Sequence, residues 1–203
     1  VSDPLQFTVA YVLGVTPGKW AGIWRERMPR RPLILTQASP AEAVAALASG
    51  DADVALLRLP VDDASLSVIP LYVENPVVVA PKGHEIEALD SVSLGELEGI
   101  LEGAWAAVVE LVAVNVGVAV MPQSVARALS RKDVVARPVS GATETQVALV
   151  WPADRTTDDI EEFIGIVRGR TVNSSRGEPT PPTPTPARKP KAVRPATKRP
   201  RRR

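Results

Sequence analysis

Residues able to do chemistry are few in this chain, and they are scattered. His84 is the single histidine, and there is no cysteine among 203 residues. Disulfides, thiolate metal sites and cysteine nucleophiles are excluded. One imidazole without a partner makes neither a two-histidine metal site nor an Asp–His–Ser triad, and reads as a solvent-facing loop residue. Asp51 and Asp53 resemble a carboxylate pair, but they flank the point where a helix gives way to a strand, and turn chemistry accounts for them at least as well. Trp20 and Trp24 stand at helical spacing beside Ile23, which marks a core or a dimer face rather than a base-stacking pair. No catalytic constellation, metal site or cofactor motif emerges, and the chain reads as a non-enzyme.

The strongest chemical signal is electrostatic. Arg188, Lys189, Lys191, Arg194, Lys198, Arg199, Arg201, Arg202 and Arg203 place nine cations in the last sixteen residues, with no acid among them. From Arg176 onward ten Lys and Arg face one Glu, whereas residues 1–175 hold fourteen cations and twenty-two acids, a net of −8. The near-neutral total hides two objects of opposite sign. Eight prolines after Arg176 and the lack of Ile, Leu and Phe there leave nothing to bury, so a disordered segment is expected. Its proline-rich start should be an extended spacer of about 3 Å per residue. Clustered Lys and Arg on such an arm release counterions from a polyphosphate, which predicts DNA or RNA binding with weak sequence preference. A solvated tail, a binder of acidic protein surfaces and a segment folding back on the acidic body remain open as alternatives. Thr180, Thr183 and Thr185 each precede proline and offer phosphate-accepting hydroxyls, which spacer chemistry explains equally well.

The elements ahead of this tail follow a regular order. "FTVAYVLG" reads as a strand, and "TPGKWAGIWRERMPR" as a helix with Thr16 as N-cap and Pro17 at its first position. "LILTQ" gives a second strand. Ser39, Pro40 and Glu42 form a capping box, Gly50 closes that helix, and "DVALLR" is a short buried strand. Strand and helix alternate with short loops, which predicts a parallel sheet. After Pro60 the style changes: two short apolar runs are broken by Pro70 and Pro76, then come a brief helix at "SVSLGEL" and a longer one from Ala104 to Asn115, closed by Gly117. "VAVMP", "QSVARALS", "VVARPV" and "TQVALVW" read as strand, helix, strand and strand. A last helix starts near Thr157 or Asp158. No apolar run reaches the roughly 18 residues of a membrane helix, and "VSDPLQFTVAYVLG" lacks a basic start. A cytoplasmic protein with no membrane partner is expected.

Four of these stretches, in order, resemble the effector (substrate-binding) domain of LysR-type transcriptional regulators. "SPAEAVAALASGDADVALLRLP" is similar to the family's helix leading to a "GxLDxAI"-like strand. "VVVAPKGHEI" is similar to its "LVxPxxHPL" crossing, with Glu85 in place of proline, and Ser93, Leu94 and Leu97 match the following "SLxxL". "LVAVNVGVAVMPQSVARAL" resembles "VAAGxGIALLPxxxA", and "VALVWPADRTTDDIEEFIGIV" the returning strand and final helix. The resemblance covers residues 5–170. It implies an α/β, two-lobed type 2 periplasmic-binding-protein-like fold, with lobe I about 5–75 and 152–170, lobe II about 76–151, and the tail at 171–203. Crossover strands are expected near Val77–Ala80 and Val147–Trp151.

Two departures shape the functional expectation. The 203 residues hold no counterpart of the family's winged helix-turn-helix, so the basic tail is expected to make the nucleic-acid contact, with nucleoid association as a consequence. The second lobe is also short: about 15 residues stand where the family has a strand, a helix and a strand. For a small-molecule effector, Thr16, Gly18 and Ser39 offer N–H groups and hydroxyls at the positive ends of two helices, suited to a carboxylate or phosphate. The resemblance places effector contacts at the same loops and implies a homodimer. The plain alternative is that Thr16 and Ser39 only cap their helices. Two readings therefore stand: a nucleic-acid-associated regulatory protein, or an organic-acid or amino-acid sensor with an incidental tail.

Overall fold

The computed structural model describes residues 6–169. The tail cations Arg188–Arg203, and the extended spacer expected before them, lie outside the described residues.

Lobe I opens with β1 (Phe7–Tyr11), α1 (Gly18–Arg27), β2 (Leu33–Gln37), α2 (Pro40–Ser49) and β3 (Val54–Arg58). β1 pairs in parallel with both β2 and β3, as two successive strand–helix–strand units require. The chain then turns antiparallel with β4 (Leu66–Glu74), and β9 (Thr145–Pro152) inserts between β3 and β4 to give the order β2-β1-β3-β9-β4. Helix α5 (Asp158–Val167) closes the lobe, with Thr157 Oγ1 accepting from Ile160 N. Phe7 stacks on Trp24 with centroids 4.5 Å apart, and Phe163 of α5 completes the cluster at 5.4 Å and 6.0 Å from the two rings. All three are fully buried. Trp24 keeps its polar end satisfied by donating Nε1–H to Arg31 O at 2.8 Å, as a buried indole must. Trp24 is therefore core, with Trp20 half-buried against it.

Lobe II is built on β5 (Pro76–Pro81), β6 (Val92–Ser93), β7 (Ala119–Pro122) and β8 (Val134–Ser140), ordered β6-β8-β5-β7. "PVVVAP" has no polar residue because β5 is buried on both faces. Val77 and Val79 meet α3 (Trp105–Ala113) and α4 (Gln123–Ala128), while Val78 and Ala80 meet Ile86, Val92 and Val139 on the other side. The expected helix at "SVSLGEL" is a single 3-10 turn, Leu94–Glu96, with its Ser93–Glu96 capping box in place.

Four details differ from the sequence reading. Pro70 does not break a strand: β4 runs through it at the sheet edge, where a missing N–H is tolerated, with a register shift between Pro70 and Tyr72. β9 belongs to lobe I, because it pairs with β3 and β4. The return crossing therefore falls between Ser140 and Thr145, and lobe II ends there rather than at 151. Thr16 does not cap α1. Pro17 takes that position, with its carbonyl accepting from Ala21 N at 3.0 Å and no side-chain cap. Finally, α3 is closed by Asn115 at φ 62°, with Asn115 N bonding Val112 O and Val116 N bonding Leu111 O, a Schellman stop. Gly117 is needed for another reason: a Cβ there would collide with Gly99 O.

That collision marks the shortened part of lobe II. Residues 98–104 connect the 3-10 turn directly to α3, and Ile100 bridges in parallel to Val118 beside β7. Around this connection Ile100, Leu111, Val114 and Val116 are exposed.

Candidate functional site

β1 and β2 are parallel and in register, Tyr11 opposite Gln37. The loops that leave them therefore emerge at the same edge of the sheet, tied by Ala38 N donating to Tyr11 O at 3.0 Å. Thr16, Gly18 and Ser39 lie on these two loops or the helix starts beyond them, and all three are exposed. Their chemical availability differs. Ser39 is engaged in its capping box: its Oγ accepts from Glu42 N at 3.3 Å, and its own N–H donates to Glu42 Oε2 at 2.8 Å. The Ser39 N–H bond to its carboxylate, and after it the Ser39 hydroxyl, hold the Glu42 carboxyl below its ordinary pKa. The start of α2 thus carries an anion of its own. Thr16 has no capping bond, and Gly18 has open space where a Cβ would stand.

The other candidates separate into local roles. Asp53 Oδ2 accepts from Thr8 N at 2.7 Å, whereas Asp51 Oδ2 accepts from Ser49 Oγ at 2.7 Å. They serve different partners and do not form a pair. His84 Nδ1 accepts from Ile86 N at 3.3 Å, which caps a 3-10 turn. With Lys82, Asn115, Lys132 and Asp133 it lines an open cavity of about 770 Å³ on lobe II. Among the described residues no group of three or more metal-ligating side chains comes together.

A polar cluster at the lobe junction was not among the sequence candidates. Arg58, the last residue of β3, donates Nε–H to Glu74 Oε2 at 2.6 Å and Nη2–H to Glu74 Oε1 at 3.2 Å. Its Nη1 reaches Leu13 O at 2.8 Å and its Nη2 also reaches Ser124 Oγ at 3.0 Å. Ser124 Oγ donates to Glu74 Oε1, and Thr145 Oγ1 donates to Glu74 Oε2 at 3.1 Å. The guanidinium carbon stands 5.2 Å from the ring centroid of Trp105, within cation–π range. The Arg58 and Glu74 side chains are 9% and 4% exposed. Partners lie up to 71 residues apart in sequence, which is why no spacing motif points to them. The faint signals are an arginine ending a buried strand and a glutamate two residues before a proline.

Comparison with known proteins agrees with this architecture. The family model described as the LysR substrate binding domain matches residues 16–100 and 103–171, breaking inside the short connection of lobe II. Two curated proteins, each named a probable hydrogen peroxide-inducible genes activator, are similar. The one from Mycobacterium xenopi is 35% identical over 91 residues, 42% of this chain and 48% of that protein. The one from Mycobacterium avium is 38% identical over 78 residues, 38% of this chain and 24% of that protein. The matched stretch thus spans about half of the first relative and about a quarter of the second. Among solved structures, the reduced OxyR regulatory domain from Pseudomonas aeruginosa superimposes with a TM-score of 0.63 at 20% identity, covering 80% of this chain and 94% of that one. The BenM effector-binding domain with its effector benzoate gives 0.67 at 16% identity, covering 82% and 92%. These similarities show the fold, a two-lobed α/β arrangement.

Proposed function

Because the chain belongs to the LysR substrate-binding domain family, we propose that it is a non-catalytic regulatory module of transcription that acts in the cytoplasm and is held on nucleic acid through Arg188–Arg203. Charge segregation carries this reading. Residues 1–175 have a net charge of −8, while nine cations occupy the last sixteen residues. The body repels a phosphodiester backbone and the arm attracts it, so contact is confined to the arm. Among the described residues no helix is long and apolar enough to cross a membrane. A thiol switch is not available in these residues, since they include no cysteine, although the curated relatives are named for induction by hydrogen peroxide.

The test is a gel-shift titration of the intact chain and of a version ending at Ser175, against duplex DNA at several salt concentrations. Six to nine phosphate contacts give a slope of log affinity on log salt of about −5 to −8, and the shortened version loses the binding. Equal affinity of the two, or salt independence, rejects the reading.

A second reading has its own support. The exposed Thr16, Gly18 and Ser39 lie where two parallel strands end at one sheet edge, the place where open α/β sheets receive ligands. In this reading a small organic acid or amino acid is the effector, and the tail is incidental.

A further inference from the structure

The Arg58–Glu74 cluster is assembled like an occupied ligand site. A carboxylate offers about four acceptor positions, and at Glu74 all four are used. Oε2 accepts from Arg58 Nε and Thr145 Oγ1, while Oε1 accepts from Arg58 Nη2 and Ser124 Oγ. An arginine fork supplemented by two hydroxyls is the arrangement by which proteins grip a free carboxylate. Here the donors come from β3, α4 and β9, three elements that belong to both lobes, while Glu74 arrives on β4. Leu13 O and the Trp105 ring hold the guanidinium from the remaining sides. Burying the two charges costs several kcal/mol of desolvation each, and only a full set of partners offsets that.

We propose that Glu74 is the resident occupant of a carboxylate-binding site at the lobe junction. Its side chain fills the place that a small carboxylate ligand would take, which latches the lobes and leaves Arg58 closed to effectors from solution. The fragment removed by Glu74→Ala is acetate less one hydrogen, so that variant should expose a receptor of acetate size. The proposal stands independently of nucleic-acid binding by the tail, because no tail residue enters it.

The experiment uses the full chain and acetate itself. Melting temperatures of wild type and Glu74→Ala are measured in sodium acetate and in sodium chloride of equal concentration. The variant melts lower than wild type in chloride and recovers in acetate, by about 3–6 °C at ten times the dissociation constant. Wild type responds alike to both salts, and Glu74→Ala combined with Arg58→Gln loses the recovery. A Glu74→Ala protein whose melting temperature is the same in the two salts overturns the proposal. If that variant does not fold, the wild-type Arg58 Nε–Hε resonance decides the matter. It stays unmoved through an acetate titration if Glu74 is resident, and a saturating shift overturns the idea.

Discussion

Gly14 stands so close to α4 that a Cβ on it would lie 2.7 Å from Ser124 Oγ and 2.9 Å from Val125 N. Its φ of 88° is also left-handed, which disfavours any side chain. Loop 12–17 of lobe I thus meets the first turn of α4 in lobe II backbone to backbone, at the serine whose hydroxyl bonds both Arg58 and Glu74. Gly14→Ala should cost about 2–5 kcal/mol, the sum of left-handed strain and overpacking. Gly18→Ala is the matched control, since nothing lies within 4 Å of its Cβ position. It should change stability by no more than about 1 kcal/mol, in the stabilising direction. Urea unfolding of the two variants measures this, and equal losses would refute the close approach.

Much of lobe I was legible because its signals are local. The capping box at Ser39 and Glu42, Gly50 as the stop of α2, and the alternation from β1 to β3 each depend on residues within a few positions of one another. Two later positions, one in each lobe, were less legible. Asn115 adopts a conformation usually taken by glycine, so the nearby Gly117 drew the helix stop to itself, although its actual constraint is the carbonyl of Gly99. Pro70 looked like a breaker because its position at a sheet edge depends on β9, which is some 75 residues downstream. The Arg58–Glu74 cluster was illegible for the same reason at greater strength: its members are ordinary residues, made significant only by the lobe crossing that gathers them.

Thr16 and Ser39 separate structure from ligand binding. Ser39→Ala removes the Oγ that accepts from Glu42 N and should cost about 1 kcal/mol of stability with or without a ligand. Thr16 makes no cap, so Thr16→Ala should stay within about 0.5 kcal/mol of wild type when free. If the effector reading holds, Thr16→Ala loses the stabilisation that an organic acid gives wild type, about 2.7 kcal/mol at one hundred times the dissociation constant. A thermal-shift screen of organic acids and amino acids with wild type and both alanine variants makes the comparison. A screen that leaves wild type unmoved removes the effector reading, and a Thr16→Ala protein that responds like wild type removes Thr16 from the site.

Asp53 gives lobe I a defined response to acid. Burial pushes its carboxyl above the ordinary aspartate value, more than the Thr8 N–H bond and the charge of Arg31 pull it down. A raised folded-state pKa means that the folded protein holds the proton more tightly than the unfolded chain. The resulting stability is complete below the unfolded value of about 4 and is lost as pH rises through the folded value. Asp53→Asn keeps an oxygen for the Thr8 N–H but cannot ionise. Wild type should therefore be favoured over the variant most below about pH 4, with the advantage shrinking or reversing toward neutrality. Urea unfolding of both proteins across that range gives the two profiles. Parallel profiles would show that Asp53 ionises with equal ease in the folded and unfolded chain, and that the Thr8 bond offsets its burial in full.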